Sequence, residues 1–306
     1  MRKTIMAITI PMLVIAALLL VSGCEEGEQK TVTESPYEGG SQGITASFEP
    51  FGVKEDSIAT IYEDENFPVE ITLKNKGEAA VPSGAVKLDL KGISPSDYNG
   101  IDFEKANSEE LEAVSEFNPH GGEETVDFGD AEYGVELKGS YYDATVFASY
   151  RYPYSTHAAV PNVCFNTDPQ DETICTLEGK KEVFSSGAPV QIKAARETRA
   201  GANLIAVEFD VENVGGGQVT KPGEDFDTRY GMITFSLDDT SEPGSWECKL
   251  GGEENAGRLI DGKGTIRCKL KEPMEDETTY TKQLDMTIDY DYKDIIEQSV
   301  RIKKKA

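Results

Sequence analysis

Two stretches, VEITLKNKG at 69–77 and VEFDVENVG at 207–215, share one pattern at an offset of 138 (207 − 69). In both, apolar and polar residues alternate, so that one face of an extended strand is apolar. Both end in Asn-x-Gly, which is typical of a turn that follows a strand. The repeat predicts two related units built from antiparallel strands.

A second pair of motifs supports the repeat. Tyr150-Arg-Tyr152 matches Tyr290-Asp-Tyr292 at an offset of 140 (290 − 150). Short alternating segments lie between these landmarks, separated by Gly, Pro, Asn and Asp, as in antiparallel β-structure. The predicted fold class is all-β, with two tandem Ig-like antiparallel β-sandwiches at 43–183 and 187–306, each long enough for one core.

The units are expected to end in short strands, at 143–152 and 160–165 in the first and at 280–292 and 297–303 in the second. Only NSEELEAVSEF at 107–117 has helical features. It offers a capping residue at Asn107 or Ser108, acidic residues in the first turn, and apolar residues three positions apart. We therefore expect a short helical insertion in the first sandwich.

The segment 1–23 has the layout of a secretory signal. Arg2 and Lys3 precede a largely apolar run at 5–21, and small residues then lead to Cys24. Val21-Ser22-Gly23-Cys24 resembles the lipobox of prokaryotic lipoproteins, which implies that Cys24 is the lipid-modified first residue of the mature chain. An uncleaved N-terminal membrane helix is the alternative; the run is slightly short for one. Residues 24–42 are polar and predict a flexible, disordered tether.

The five cysteines are consistent with a location outside the cytoplasm. With Cys24 set aside, two close pairs remain, Cys164 with Cys175 and Cys248 with Cys268. Disulfides persist outside the cytoplasm, so we expect two local structural bridges. A zinc site needs four nitrogen or sulfur ligands close together, and neither His120 nor His157 completes such a pattern.

The chain carries a formal charge of −26. Binding to nucleic acid requires concentrated Lys and Arg, and the single basic cluster, RIKKKA at 301–306, is too short to overcome this field. Nucleic acid is therefore not an expected partner. The acidity predicts either a well-solvated surface or a surface that holds cations.

No catalytic motif is present: the chain has no G-x-S-x-G elbow, no H-E-x-x-H helix and no P-loop. His120 and His157 both lie in stretches that read as loops. Paired carboxylates could serve a hydrolase, but 56 acidic residues leave no basis for choosing two. The chain is therefore expected not to be an enzyme.

Two ligand hypotheses remain, and no cofactor is expected apart from the calcium of the second hypothesis. Tyr150, Tyr152 and Tyr154 alternate on one strand, and the recurrence of Tyr-x-Tyr favours a fold element such as the tyrosine corner. Tyr154 has no clear counterpart in the second unit, which makes it the candidate contact for a carbohydrate ring. Calcium is the metal considered, because hard cations take several oxygen ligands from flexible loops. Its first candidate ligands are Asp168, Asp171 and Glu172, and further acidic turns contain Glu224, Asp225, Asp227, Asp238 and Asp239.

The repeated strand ending in Asn-x-Gly, together with the lipobox and the polar tether, resembles archaeal and other prokaryotic cell-surface lipoproteins with tandem Ig-like, CARDB-type domains. The resemblance implies an extracytoplasmic β-sandwich and no specific chemistry. We expect a protein held at the extracellular face of the cell membrane by its lipid anchor. Its expected role is adhesion, envelope assembly or docking to a surface protein or glycan. The alternatives are a binding module for carbohydrate or calcium and, less favoured, an anchored hydrolase.

Overall fold

The structure is a computed structural model, and it describes residues 34–168, 170–239 and 245–305. Ser35–Ala306 forms one compact unit. The described residues form β-strands, turns and one three-residue 3-10 helix, η1 (Pro95–Asp97), without any α-helix. The predicted all-β class is confirmed.

The strands fall into two groups along the chain. The first group is β1 (Ile44–Phe48), β2 (Val53–Glu55), β3 (Ile58–Tyr62), β4 (Asn66–Asn75), β5 (Lys87–Lys91), β6 (Tyr98–Ile101), β7 (Glu104–Ala106), β8 (Glu123–Tyr133) and β9 (Tyr141–Asn166). The second group is β10 (Gly179–Lys181), β11 (Phe184–Ser185), β12 (Val190–Gly201), β13 (Leu204–Asn213), β14 (Gln218–Thr220), β15 (Gly231–Asp238), β16 (Trp246–Leu250), β17 (Glu253–Glu254), β18 (Ala256–Leu259), β19 (Lys263–Leu270) and β20 (Thr279–Lys303).

Two of the sheets repeat one strand order. The four-stranded sheet runs β1-β4-β8-β6, and the six-stranded sheet contains β12-β13-β19-β16 between β10 and β17. The two copies of the repeated stretch lie on β4 and β13, which are the second strands of these matching series. The sequence repeat is thus a repeat of strand order, while the count of two separate domains stays a prediction.

The third sheet is shared by both halves of the chain. Its ten strands follow the path β18-β15-β20-β9-β5-β7, with the remaining strands paired to its sides. The antiparallel pair β9–β20 forms its centre and extends from Tyr141 opposite Lys303 to Asn166 opposite Thr279. We call this sheet the shared sheet.

The sequence divided each central strand into two, whereas β9 and β20 are continuous over 26 and 25 residues. Pro153 interrupts the pattern of β9 because proline has no N–H to donate. On that edge of β9, however, β5 pairs only up to Arg151, and β11 begins to pair at Ala158. Pro153 therefore lies in a gap between neighbouring strands, where no ladder hydrogen bond is lost.

In the shared sheet, strands of the second half of the chain pair with strands of the first half. The end of β20, residues 300–303, lies between β9 and β3, and it pairs with β3 in parallel. Pro153 and Asp291 pair directly with each other, and their offset of 138 (291 − 153) is that of the repeated stretch. This register is the one expected for two copies related by a local two-fold axis through that pair.

The Asn-x-Gly ending of the repeated stretch has a physical cause in the first copy. Tyr154 donates a hydrogen bond from its hydroxyl to Asn75 Oδ1 at 3.0 Å and accepts one from the backbone N–H of Ala79 at 3.3 Å. A Cβ on Gly77 would overlap the Tyr154 hydroxyl. The glycine is required because the tyrosine closes onto the turn.

The second copy repeats this contact with Tyr292. Its hydroxyl accepts a hydrogen bond from the N–H of Gly217 at 2.7 Å, and a Cβ on Gly215 would overlap it. Tyr292 follows Tyr154 at the offset of the repeated stretch, 138 (292 − 154). The expectation that Tyr154 has no counterpart is therefore wrong, because the two Tyr-x-Tyr motifs were aligned two positions out of register.

The helix predicted at 107–117 is also wrong, because long-range contacts override the local helical pattern. The Glu124 carboxylate accepts hydrogen bonds from the N–H groups of Ser108 and Glu109, at 2.7 and 3.1 Å. Leu111 forms an isolated β-bridge with Val81 and is buried. These contacts hold the segment in an irregular extended form.

Both predicted disulfides are confirmed. Cys164 on β9 is bonded to Cys175 in the following loop, and Cys248 is bonded to Cys268 across the paired strands β16 and β19. Each bridge closes a short loop, 11 and 20 residues in sequence separation.

The flexible tether predicted at 24–42 ends earlier than expected. The Glu78 carboxylate accepts hydrogen bonds from the N–H groups of Glu38, Gly39 and Gly187, at 3.0, 2.9 and 2.5 Å. Gln191 also donates to the carbonyl oxygen of Gly40. Residues 38–40 are therefore fixed to the folded unit, at the junction between the two repeats.

Candidate interaction surface

The side chains of β9 and β20 alternate between the two faces of the shared sheet. Five tyrosines point into the core, none more than 4% exposed: Tyr150, Tyr152, Tyr154, Tyr290 and Tyr292. On β9, the residues between and after these tyrosines, such as Arg151, Pro153, Ser155 and His157, face the other way. We call this second side the outer face.

The buried tyrosines serve the fold. Tyr152 donates a hydrogen bond to the carbonyl oxygen of Ile44 at 3.2 Å, and Tyr290 shares one with Thr156 at 3.1 Å. Burial raises the pKa of all five hydroxyls, that of Tyr292 to about 12. Tyr154, the sequence candidate for a carbohydrate contact, is 3% exposed and presents no ring face to solvent.

The outer face is acidic from the Pro153–Asp291 pair towards β15. Asp238 on β15 lies directly opposite Asp285 on β20, and Asp289 and Asp291 follow at alternate positions along β20. Ser155 donates a hydrogen bond to Asp289 at 2.5 Å, and the N–H of Gly223 donates to Asp291 at 2.9 Å. These carboxylates are therefore partly occupied by neighbouring donors.

Two positions from the Pro153–Asp291 pair, on the side away from this acidic region, the outer face carries a row of cations. Lys87 on β5 lies opposite Arg151 on β9, and Arg151 lies opposite Lys293 on β20. Lys87 and Arg151 are exposed, and Lys293 is half-buried with its Nζ 5.6 Å from the centre of the Phe226 ring. We call these three residues the cation row. Sequence reasoning missed it, because its members are brought together only by sheet register.

The three calcium candidates lie in a turn and cap backbone groups. Asp168 accepts a hydrogen bond from the N–H of Gln170 at 3.0 Å, and Asp171 accepts two from Thr173, at 3.0 and 2.6 Å. The Thr173 hydrogen bonds lower the pKa of Asp171. Glu172 is exposed. Within the described ranges, no group of three or more His, Cys, Asp or Glu side chains converges as metal ligands would.

In the other acidic turns, Asp227 and Asp239 each have a nearby cation. Arg229 forms an ion pair with Asp227, at 2.6 Å, and Asp239 forms a buried one with Lys282 and accepts a hydrogen bond from the Trp246 indole at 3.2 Å. His157 lies within 3.2 Å of Thr287 Oγ1 on the outer face.

Cys24, the predicted lipidation site, lies outside the described residues. Among those that are described, no helix has the length and apolarity to cross a membrane.

An exposed aromatic ring lies at the end of the β9–β20 pair where Asn166 meets Thr279. Tyr280 is 45% exposed and stacks on Phe165, with ring centres 4.8 Å apart. Phe165 in turn packs edge-on against Trp246. A cavity of about 630 Å³ opens beside this stack, and Met274 and Lys271 contribute to its wall.

Glu197 on β12 is a second feature that sequence reasoning missed. Its side chain is fully buried, forms an ion pair with Lys181 at 2.8 Å, and accepts a hydrogen bond from the N–H of Cys164 at 2.9 Å. Its Oε1 has no hydrogen-bond partner in the structure. Burial raises the pKa of Glu197 to about 7, against the opposing effects of Lys181 and the Cys164 amide. This group links β9, β10 and β12 beside the first disulfide.

Comparisons with known proteins leave the chain without an assigned family. No family model matches it, and no curated protein is significantly similar. One solved structure with some likeness is the secreted serine protease VesC from Vibrio cholerae, at 11% identity and a TM-score of 0.21. The match covers 81% of this chain and about half, 50%, of that protein. A TM-score this low supports no conclusion about fold or activity.

Proposed function

We propose that this chain is a lipid-anchored protein of the extracellular face of the cell membrane, and that it docks an envelope component on its outer face without catalysing a reaction. The observation that carries the proposal is the shared sheet. One of its faces packs on the core, while the other presents polar and charged side chains from both halves of the chain.

The chemistry of the fold supports this role. Binding residues act best when rigid elements hold them, and strands position side chains better than loops do. The long β9–β20 pair provides such a support, and the two disulfides suit an oxidising location. The lipobox-like sequence at Cys24 provides the membrane attachment in this proposal.

Attachment and docking can be tested separately in intact cells. Cys24→Ser should release the chain from the membrane fraction. If it remains there, the lipid anchor is refuted.

Docking is tested with a photo-crosslinking residue at Ser236 or Glu297, which are exposed on the outer face. Matched controls at Asp127 and Asp210 lie exposed on β8 and β13, in the other two sheets. We expect a reproducible envelope adduct from the outer-face positions only. Equal adducts from all four positions, or none from Ser236 and Glu297, would refute the docking surface.

A further inference from the structure

The cation row places three positive side chains across three neighbouring strands. Lys87, Arg151 and Lys293 are directly paired in register, and β-strands in a sheet lie about 4.8 Å apart. The three positions therefore span about 10 Å in a line perpendicular to the strands. Gln218 pairs with Lys293 and extends the same line with a neutral amide.

None of the three cations forms an ion pair in the part of the chain that the structure describes. Like charges directly opposite each other on neighbouring strands are destabilising. The chain has 56 acidic and 30 basic residues, so an acidic neighbour would be the more common outcome at any of these positions. An arrangement that weakens the fold in this way is explained by an external anion that binds to it.

The neighbouring rows define the direction in which such an anion lies. Asp291 lies two positions before Lys293 on β20, and Asp89 lies two positions after Lys87 on β5. Both carboxylates repel an anion that runs along the strands. A linear polyanion that crosses the strands along the cation row avoids them.

The surroundings also select the class of polymer. A stable protein interface has an apolar core, whereas the nearest exposed apolar side chain on this face is the single Ile295. Nucleic-acid binding relies on many phosphate contacts, which three cations do not supply. A sugar polymer matches better, because its hydroxyl groups can bond to polar groups such as the Gln218 amide.

We infer that the cation row binds an acidic glycan, a linear polysaccharide whose closely spaced carboxylate or sulfate groups lie across β20, β9 and β5. This inference rests on the proposed function and names the envelope component that docks.

The test measures binding of fluorescent polygalacturonate to the full-length chain, with dextran sulfate as a second polyanion and neutral dextran as the negative probe. The variant K87Q/R151Q/K293Q removes the cation row. The matched control is K54Q/K138Q/K180Q. These three lysines are exposed, lie outside the cation row and form no ion pair within the described residues. Both variants therefore lose the same net charge.

We expect the wild type and the control variant to bind polygalacturonate, and the row variant to bind at least about tenfold more weakly, as expected from three exposed ion pairs. Its remaining binding should also depend less on salt, because fewer counterions are released. The melting temperature of the row variant should stay the same or rise, since repulsion has been removed. Tighter binding of dextran sulfate than of polygalacturonate would assign the sulfated source.

Equal losses in the two variants would overturn the inference, as would a wild type that binds neither polyanion at low salt. Neither result bears on the docking proposal, which the crosslinking experiment tests separately. If crosslinks from Ser236 and Glu297 persist while glycan binding fails, the cation row is wrong and the docking surface stands.

Discussion

Replacing Glu197 with glutamine should make the stability of the protein less sensitive to pH. The substitution keeps the size and shape of the side chain and removes its ability to ionise. In the wild type this fully buried carboxyl has one oxygen bound by Lys181 and the N–H of Cys164, and the other without a hydrogen-bond partner. The glutamine amide can replace the first oxygen without introducing a buried negative charge.

The magnitude follows from the displaced pKa. Burial raises the pKa of Glu197 from its usual value of 4.5 to about 7. Between these values the folded protein keeps a proton that the unfolded chain has released, so the free energy of unfolding falls as pH rises. The loss is absent below pH 4.5 and complete above pH 7. At about 1.4 kcal/mol per pKa unit, it amounts to about 3 kcal/mol.

Urea unfolding near pH 4.5 and near pH 8 measures this effect for wild type and Glu197→Gln. The free energy of unfolding of the variant, relative to wild type, should increase by about 3 kcal/mol between the two conditions. Glu178→Gln is the control, because Glu178 is exposed on the surface and its replacement removes the same charge.

The opposite trend would refute this reasoning. If wild type gains stability over Glu197→Gln as pH rises, the ion pair with Lys181 outweighs burial and holds the carboxyl ionised. A relative stability that does not change with pH would show that the site is open to water.

Two further predictions concern contacts that hold the fold. Tyr154→Phe should lower the free energy of unfolding by about 2 kcal/mol, because the buried Asn75 Oδ1 loses a donor; the exposed Tyr141→Phe should change it little in the same urea titration. Replacing Cys248 and Cys268 together by serine should cost about 3 kcal/mol, the amount expected for a loop of this length, and calorimetry that shows an unchanged melting temperature would contradict it.

The sequence was informative wherever a structural rule acts over a short distance. Alternating polarity predicted strands, and the spacing of Cys248 and Cys268 predicted their bridge. The Asn-x-Gly repeat predicted two equivalent turns, although the tyrosines that close them were aligned out of register. Local patterns carry this information because strand faces and turns are set by adjacent residues.

Features that depend on long-range pairing were not predictable in this way. The segment at 107–117 has good helical residues, but the Glu124 carboxylate and Val81 hold it extended. Lys87, Arg151 and Lys293 are far apart in the chain and become neighbours only in the register of the shared sheet. Glu197 occupies a polar-looking position, and only tertiary packing encloses it.

The shared sheet is the claim on which the outer face and the cation row both depend. It is tested most directly by producing residues 43–183 and 187–306 as separate chains, alone and together, and following their unfolding. The end of β20 lies between β9 and β3, so we expect neither half alone to unfold cooperatively and the mixture to form a folded one-to-one complex. Cooperative unfolding of either half by itself, with no gain from its partner, would contradict the account.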